Sequence, residues 1–203
     1  MKEDEYMELY QAIKNRRTIY ALTKESPVSD DRILEIVQQS VKHSPSAFNS
    51  QSGRAVVLLG DEHDKLWNIV METLRKIVPP DAFPQTEDRI NSFKAGHGTV
   101  LFFEDQAVVK GLQESFALYK DNFPIWSLNS AGMLQFVVWT SLETEGLGAS
   151  LQHYNPLIDD EVRKTWNLPE SWKLTAEMPF GKPAAPAGDK DFQPIENRVK
   201  LFK

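Results

Sequence analysis

From Pro124 to Gly146 the chain reads PIWSLNSAGMLQFVVWTSLETEG, a long helical stretch that is apolar around most of its circumference and small at Ser127, Ser130, Ala131 and Gly132. A helix with one apolar stripe packs on one neighbour, whereas a helix apolar on nearly every side has to be covered on nearly every side. In a chain of 203 residues, the size of one ordinary domain, that cover comes from the rest of the domain and from a second subunit. Five Trp and eleven Phe supply the bulky apolar surface that either kind of burial needs.

The remaining periodicities place elements around this helix. Tyr6, Tyr10 and Ile13 recur at helical spacing and predict a first amphipathic helix ending near Arg16 and Arg17. Ser29 is a helix cap for a second, marked by Ile33, Ile36, Val37 and Val41, which has to stop before Pro45. Two short runs rich in β-branched and aromatic residues, Arg54 to Gly60 and Thr99 to Glu104, predict buried strands, with a helix from Asp64 to Ile77 between them. Helical periodicity returns over Gln106 to Tyr119 and Asp159 to Trp166, and strands are expected over Ala149 to Gln152 and Lys173 to Met178. Past Gly181 the chain turns rich in Pro and Ala and then alternates at Val199 and Leu201, the pattern of an added edge strand. No repeat or linker divides the chain, so the order of elements predicts one α+β domain, a central sheet wrapped by helices.

Composition removes whole classes of function. A formal charge of −6 argues against a duplex nucleic-acid binder, which needs a basic footprint. The acidic start carries no secretory signal and no stretch has the length of a membrane span, so a cytoplasmic protein is expected. Cysteine is absent, and with it disulfides, thiolate metal sites and thiol redox chemistry, so any redox chemistry has to come from a bound cofactor. His43, His63, His97 and His153 show no metal-ligand spacing, and no Rossmann, P-loop or GxSxG motif occurs.

Two polar segments stand out. Arg16, Arg17 and Thr18 can bind one phosphate through several charge-assisted hydrogen bonds, or the two cations can simply stabilise the end of the first helix. Ser44 to Gln51, SPSAFNSQ, is dense in amides and hydroxyls that can meet the donor and acceptor edges of a flat heterocycle, while Phe48 can only pack. The same residues also suit a polar turn.

Taken together, Arg16-Arg17-Thr18-Ile19-Tyr20 and the SPSAFNSQ segment resemble the nitroreductase family, in particular its short bacterial and fungal branch that carries AFNSQ. LFFEDQAVV (101–109), NFPIWS (122–127), GLGASLQHYNP (146–156) and NLPESWKL (167–174) extend the resemblance over nearly the whole chain. It implies a nitroreductase-like α+β fold with a mostly antiparallel sheet, forming an intertwined homodimer with FMN at each subunit interface. By that resemblance Arg16, Arg17 and Thr18 hold the phosphate and ribityl chain. Tyr20 lies near the pyrimidine edge, and Ser46, Phe48, Asn49 and Gln51 line the flavin, some from the partner subunit. Gln152 and His153 come near flavin N5, with His153 a candidate proton donor, and Lys190 reaches the phosphate. The segment 182–203 is then an arm that reaches the partner. No metal is implied.

The activity so implied is reduction of nitroaromatics, quinones or similar small electrophiles at the expense of NADH or NADPH, by a ping-pong mechanism. A non-catalytic FMN redox sensor acting on a protein partner is the alternative. Three departures from the family pattern bear on this chemistry: Tyr20 stands where a basic residue is common, Ser52-Gly53 replaces Pro and an aromatic, and Phe192 replaces a basic neighbour of Lys190.

Overall fold

The structure, a computed structural model, describes residues 9–203. Its core is an antiparallel sheet in the order β1-β5-β3-β2, formed by β1 (Leu22–Thr23), β5 (Trp172–Pro183), β3 (Gly98–Asp105) and β2 (Gly53–Leu59). A further short strand, β4 (Gly148–Ala149), lies beside β1 on the same edge of β5, at Gly181 and Phe180.

Alternation along the two central strands divides the interior into two layers. Leu101 and Phe103 of β3, with Leu174 of β5, face a layer built by α3 (Gly60–Arg75), α4 (Phe83–Lys94) and α7 (Asp159–Thr165), where Leu66, Trp67, Val70, Ile90, Phe93 and Val162 are buried. Val100, Phe102, Ala176, Met178 and Phe180 face the other layer, built by α2 (Asp30–His43) and α6 (Phe123–Thr144). Strand β3 is therefore apolar on both faces, as its sequence predicts.

Ser29 caps α2 as expected, its hydroxyl accepting the Arg32 N–H at 3.2 Å. Helix α5 (Gln106–Ser115) is shorter than its periodicity suggested and passes into a 3-10 turn over Ala117–Tyr119. Helix α4 has no counterpart in the sequence reading, although Phe83, Ile90 and Phe93 share its buried face and Pro84 suits a helix start.

Three expectations are corrected. Strand β2 is an edge strand rather than a fully buried one, and most of its side chains are only partly covered. In α1 (Leu9–Asn15), Tyr10 and Ile13 point outward and only Ala12 is buried; Tyr6 lies outside the described residues. Val199 and Leu201 form no strand, as they pair with no strand among the described residues, and they are exposed beyond a 3-10 turn at Ile195–Asn197.

Helix α6 shows why the sequence demands more cover than one chain provides. Phe123, Ser127, Ser130, Ala131, Leu134 and Val138 are buried against the domain, while Ile125, Leu128, Met133 and Phe136 form an exposed apolar stripe along the other side. Among the described residues no helix is long and apolar enough to cross a membrane.

Candidate functional site

The first group of candidate residues gathers where α1 ends. Arg16 closes the helix with its N–H on the Ala12 carbonyl (2.9 Å), after which the chain extends and Thr18 forms a parallel bridge with Ala149 of β4. The Ile19 N–H donates to the Ala149 carbonyl at 2.9 Å. Close approach here requires Gly148, because a Cβ at that position would stand 2.9 Å from Ile19. Beyond β4 the chain continues to Gln152, whose backbone pairs with Glu177 of β5. Gln152 and Tyr20 then line one cavity of about 330 Å³ together with Arg89, Ser92 and Phe93 of α4.

The electrostatics of this group ask for an anion. The Arg16 guanidinium lies over the Trp139 ring, 4.5 Å from its centroid, and its Nε is buried with no hydrogen-bond acceptor in reach among the described residues. Burial and the adjacent Arg17 both pull the Arg16 pKa below its usual value, and Glu143 opposes them. Arg17 donates from Nη2 to the Gly188 carbonyl at 2.6 Å, which brings the tail alongside. Two residues on, the Lys190 ammonium sits 5.2 Å from the centre of the Phe192 ring, so Phe192 holds Lys190 by a cation–π contact.

The second group is the loop after α2. Phe48, Asn49 and Gln51 all have left-handed backbone, with φ of 57°, 49° and 51°. Such a conformation is unfavourable for a bulky residue and persists only where surrounding contacts impose it. They are visible here. Phe48 packs 4.9 Å from Phe116 and 5.3 Å from Phe123 and stacks on Trp126 at an interplanar angle of 17°. The Ser46 hydroxyl accepts the Gln51 N–H at 2.9 Å and closes the loop. Ser46 and Gln51 line a larger cavity, about 530 Å³, with Val37 and Val41 of α2, Arg54 and Trp172. Glu104 borders it too; burial raises the pKa of its carboxyl group, and Ser52 donates to it at 2.6 Å.

The two groups do not meet within one chain. Arg16 rests on Trp139 and Phe48 on Trp126, and the step of thirteen positions along α6 from one to the other corresponds to about 20 Å along the helix axis. Arg16, Arg17, Thr18, Tyr20, Gln152 and Lys190 thus surround one end of the domain, while Ser46, Phe48, Asn49 and Gln51 sit towards the other. His153 is exposed beside Gln152. Phe48 serves the aromatic cluster of its own chain. Arg89 was missed because α4 was missed; its sequence signal was the buried spacing of Phe83, Ile90 and Phe93.

With this geometry in view the relatives are informative. The sequence matches the Nitroreductase family over residues 13–182, and the chain belongs to that family. HBN1 of Saccharomyces cerevisiae is 39% identical over 189 residues, which covers 92% of this chain and 93% of its own. Among solved structures, nitroreductase CinD of Lactococcus lactis in complex with chloramphenicol superimposes with a TM-score of 0.89 at 49% identity, over 97% of this chain and 100% of CinD. CinD in complex with 4-nitrophenol gives 0.88 over the same shares at the same identity. The fold alone is shared with a protein of Desulfovibrio desulfuricans solved in complex with FMN, with a TM-score of 0.70 and 19% identity over 98% of this chain and 99% of that one. The α+β architecture described above is the nitroreductase-like fold, and the protein is an oxidoreductase of the nitroreductase type.

Proposed function

We propose that the chain is the subunit of a homodimeric, FMN-dependent oxidoreductase that takes electrons from NADH or NADPH and passes them to nitroaromatics, quinones or similar flat electrophiles. The observation that carries this reading is the buried Nε of Arg16, without an acceptor among the described residues, beside Arg17 and Thr18. A phosphate dianion supplies the acceptors that this donor set lacks, in the bidentate geometry a guanidinium favours. FMN, when bound, contributes the reversible two-electron chemistry that no side chain of this cysteine-free protein has.

The chain's own residues bind and orient. Arg16, Arg17, Thr18 and Lys190 hold the phosphate and ribityl chain, and Tyr20 and Gln152 border the ring. Ser46, Asn49 and Gln51 complete the site from the partner subunit, a reading supported by their separation of about 20 Å from the first group within one chain. Nicotinamide and acceptor use one open face in turn, which gives ping-pong kinetics. CinD's complexes with chloramphenicol and 4-nitrophenol support small aromatic acceptors. The exposed stripe of α6 and the free edge of β2 support the dimer, with the tail from residue 185 onward as an arm whose Phe192, Ile195, Val199 and Leu201 pack on the partner.

The test is the visible spectrum of the purified protein, mass identification of the chromophore released by heat, and rates with both nicotinamides and a nitroaromatic acceptor. A yellow protein that releases FMN and gives parallel double-reciprocal plots is expected. A colourless protein that fails to take up added FMN overturns the reading, and a flavoprotein that acceptors cannot reoxidise overturns the enzymatic part.

A further inference from the structure

The apolar layer under α3, α4 and α7 contains one fully buried acid, Glu177, directly behind the segment that carries Gln152 and His153. Glu177 stands opposite Leu101 in the β3-β5 ladder, so its side chain shares the sheet face of Leu101 and Phe103. Its backbone exchanges two hydrogen bonds with Gln152, at 2.7 and 3.0 Å, and its Oε2 accepts the Tyr154 N–H at 2.9 Å. Asn155, next in the chain, also acts on the carboxyl group through its backbone N–H. One side chain therefore holds the backbone on the far side of the residues that border the proposed flavin site.

The polar atoms here do not balance without an added proton. Glu177 Oε1, Asn155 Oδ1 and Asp159 Oδ1 are all buried acceptors that no donor among the described residues reaches. Turning the Asn155 amide removes one of these acceptors and still leaves an oxygen on each of two carboxyl groups without a donor. A neutral carboxylic acid supplies the missing donor.

We infer that Glu177 is a positioning residue: its carboxyl group, sharing a proton with the buried oxygens around it, fixes the backbone from Gln152 to Asn155, and loss of that proton unlocks the segment. The link to flavin binding rests on the function proposed above; the link between proton and segment does not.

The surrounding charges agree. Asp159, at the start of α7, acts on Glu177 as a like charge, and burial raises the Asp159 pKa as well. Tyr154 is pushed up to about 12 by burial and stays neutral. The nearby cations act elsewhere, Arg89 on Tyr154 and Arg163 and Lys173 on Asp159. Burial foremost, with Asp159 adding to it, pushes Glu177 from 4.5 up to about 8. A folded-state value raised in this way makes the contribution to stability complete below the unfolded value, and it is lost as pH rises towards the folded one.

The experiment compares wild type with Glu177→Gln, whose amide keeps an acceptor and carries its own protons. The Tm advantage of the variant over wild type is expected to grow from pH 5 to pH 9. Deuterium exchange over residues 150–157, corrected for the intrinsic pH dependence, is expected to accelerate above pH 8 in wild type and not in the variant. Wild-type FMN affinity is expected to weaken by about tenfold between pH 7 and 9.5, and that of the variant by less than about threefold. Asp159→Asn removes the like charge and so lowers the proton affinity of Glu177, and unlocking is expected to begin at lower pH than in wild type. A Tm difference independent of pH, or exchange that accelerates equally in both proteins, overturns the inference. A wild type that binds no FMN overturns the proposed function and leaves the first two measurements to decide the role of Glu177.

Discussion

Replacing Arg16 by alanine separates cofactor holding from every other role of the first helix. The guanidinium is only partly buried, so the low end of the range for charge-assisted hydrogen bonds applies. Losing a bidentate contact to a phosphate dianion, with Arg17 and Thr18 still in place, is expected to weaken FMN binding by about 2 to 3 kcal/mol, roughly 30- to 150-fold in Kd. The fold loses the contact with Trp139, worth about 0.5 to 1 kcal/mol, and is relieved of repulsion from Arg17, so the change in stability is small. Arg16→Lys keeps the charge without the planar fork and restores only part of the affinity. The assay is a flavin titration by fluorescence quenching, beside rates at low and saturating FMN and the oligomeric state. Activity is expected to recover at high FMN, with the dimer intact. Unchanged FMN affinity in Arg16→Ala refutes the reasoning, and a variant that falls apart into monomers shows that Arg16 acts through assembly.

Arg17→Ala is expected to cost less affinity than Arg16→Ala, because Arg17 also spends a hydrogen bond on Gly188, and paired titrations check the order. Ending the chain after Ala184, the last residue bonded to the β1 edge through Ala21, is expected to abolish both dimer and flavin; a truncated protein that stays dimeric and yellow rules out the arm. Gly98→Ala places a Cβ 2.5 Å from Leu59 and 2.8 Å from the Leu58 carbonyl, and is expected to destabilise by about 1 to 3 kcal/mol, read from the urea midpoint.

The elements most legible in the sequence are those whose burial is local. Ser29 and the spacing of Ile33, Ile36 and Val37 define α2, because cap and stripe lie within one helix, and the apolar run of β3 declares itself buried on both faces. The need of α6 for cover on every side was equally plain, since it follows from composition around a helix and from nothing distant. Arg16, Arg17, Thr18 and the SPSAFNSQ loop were legible as candidates through their chemistry and the family resemblance. Their placement was not. That Arg16 rests on Trp139 and Phe48 on Trp126, at separate stations on one helix, depends on packing between segments far apart in the chain. The edge position of β2 was hidden for the same reason, as strand order is a property of pairing and an edge strand can be as apolar as a central one. Glu177 was hidden most completely: alternation in TAEMPF sets it on the face opposite Ala176, Met178 and Phe180 and does not say what covers that face. Only the stacking of α3, α4 and α7 over that face makes it a buried acid, because burial is decided by what covers a residue and not by the residue itself.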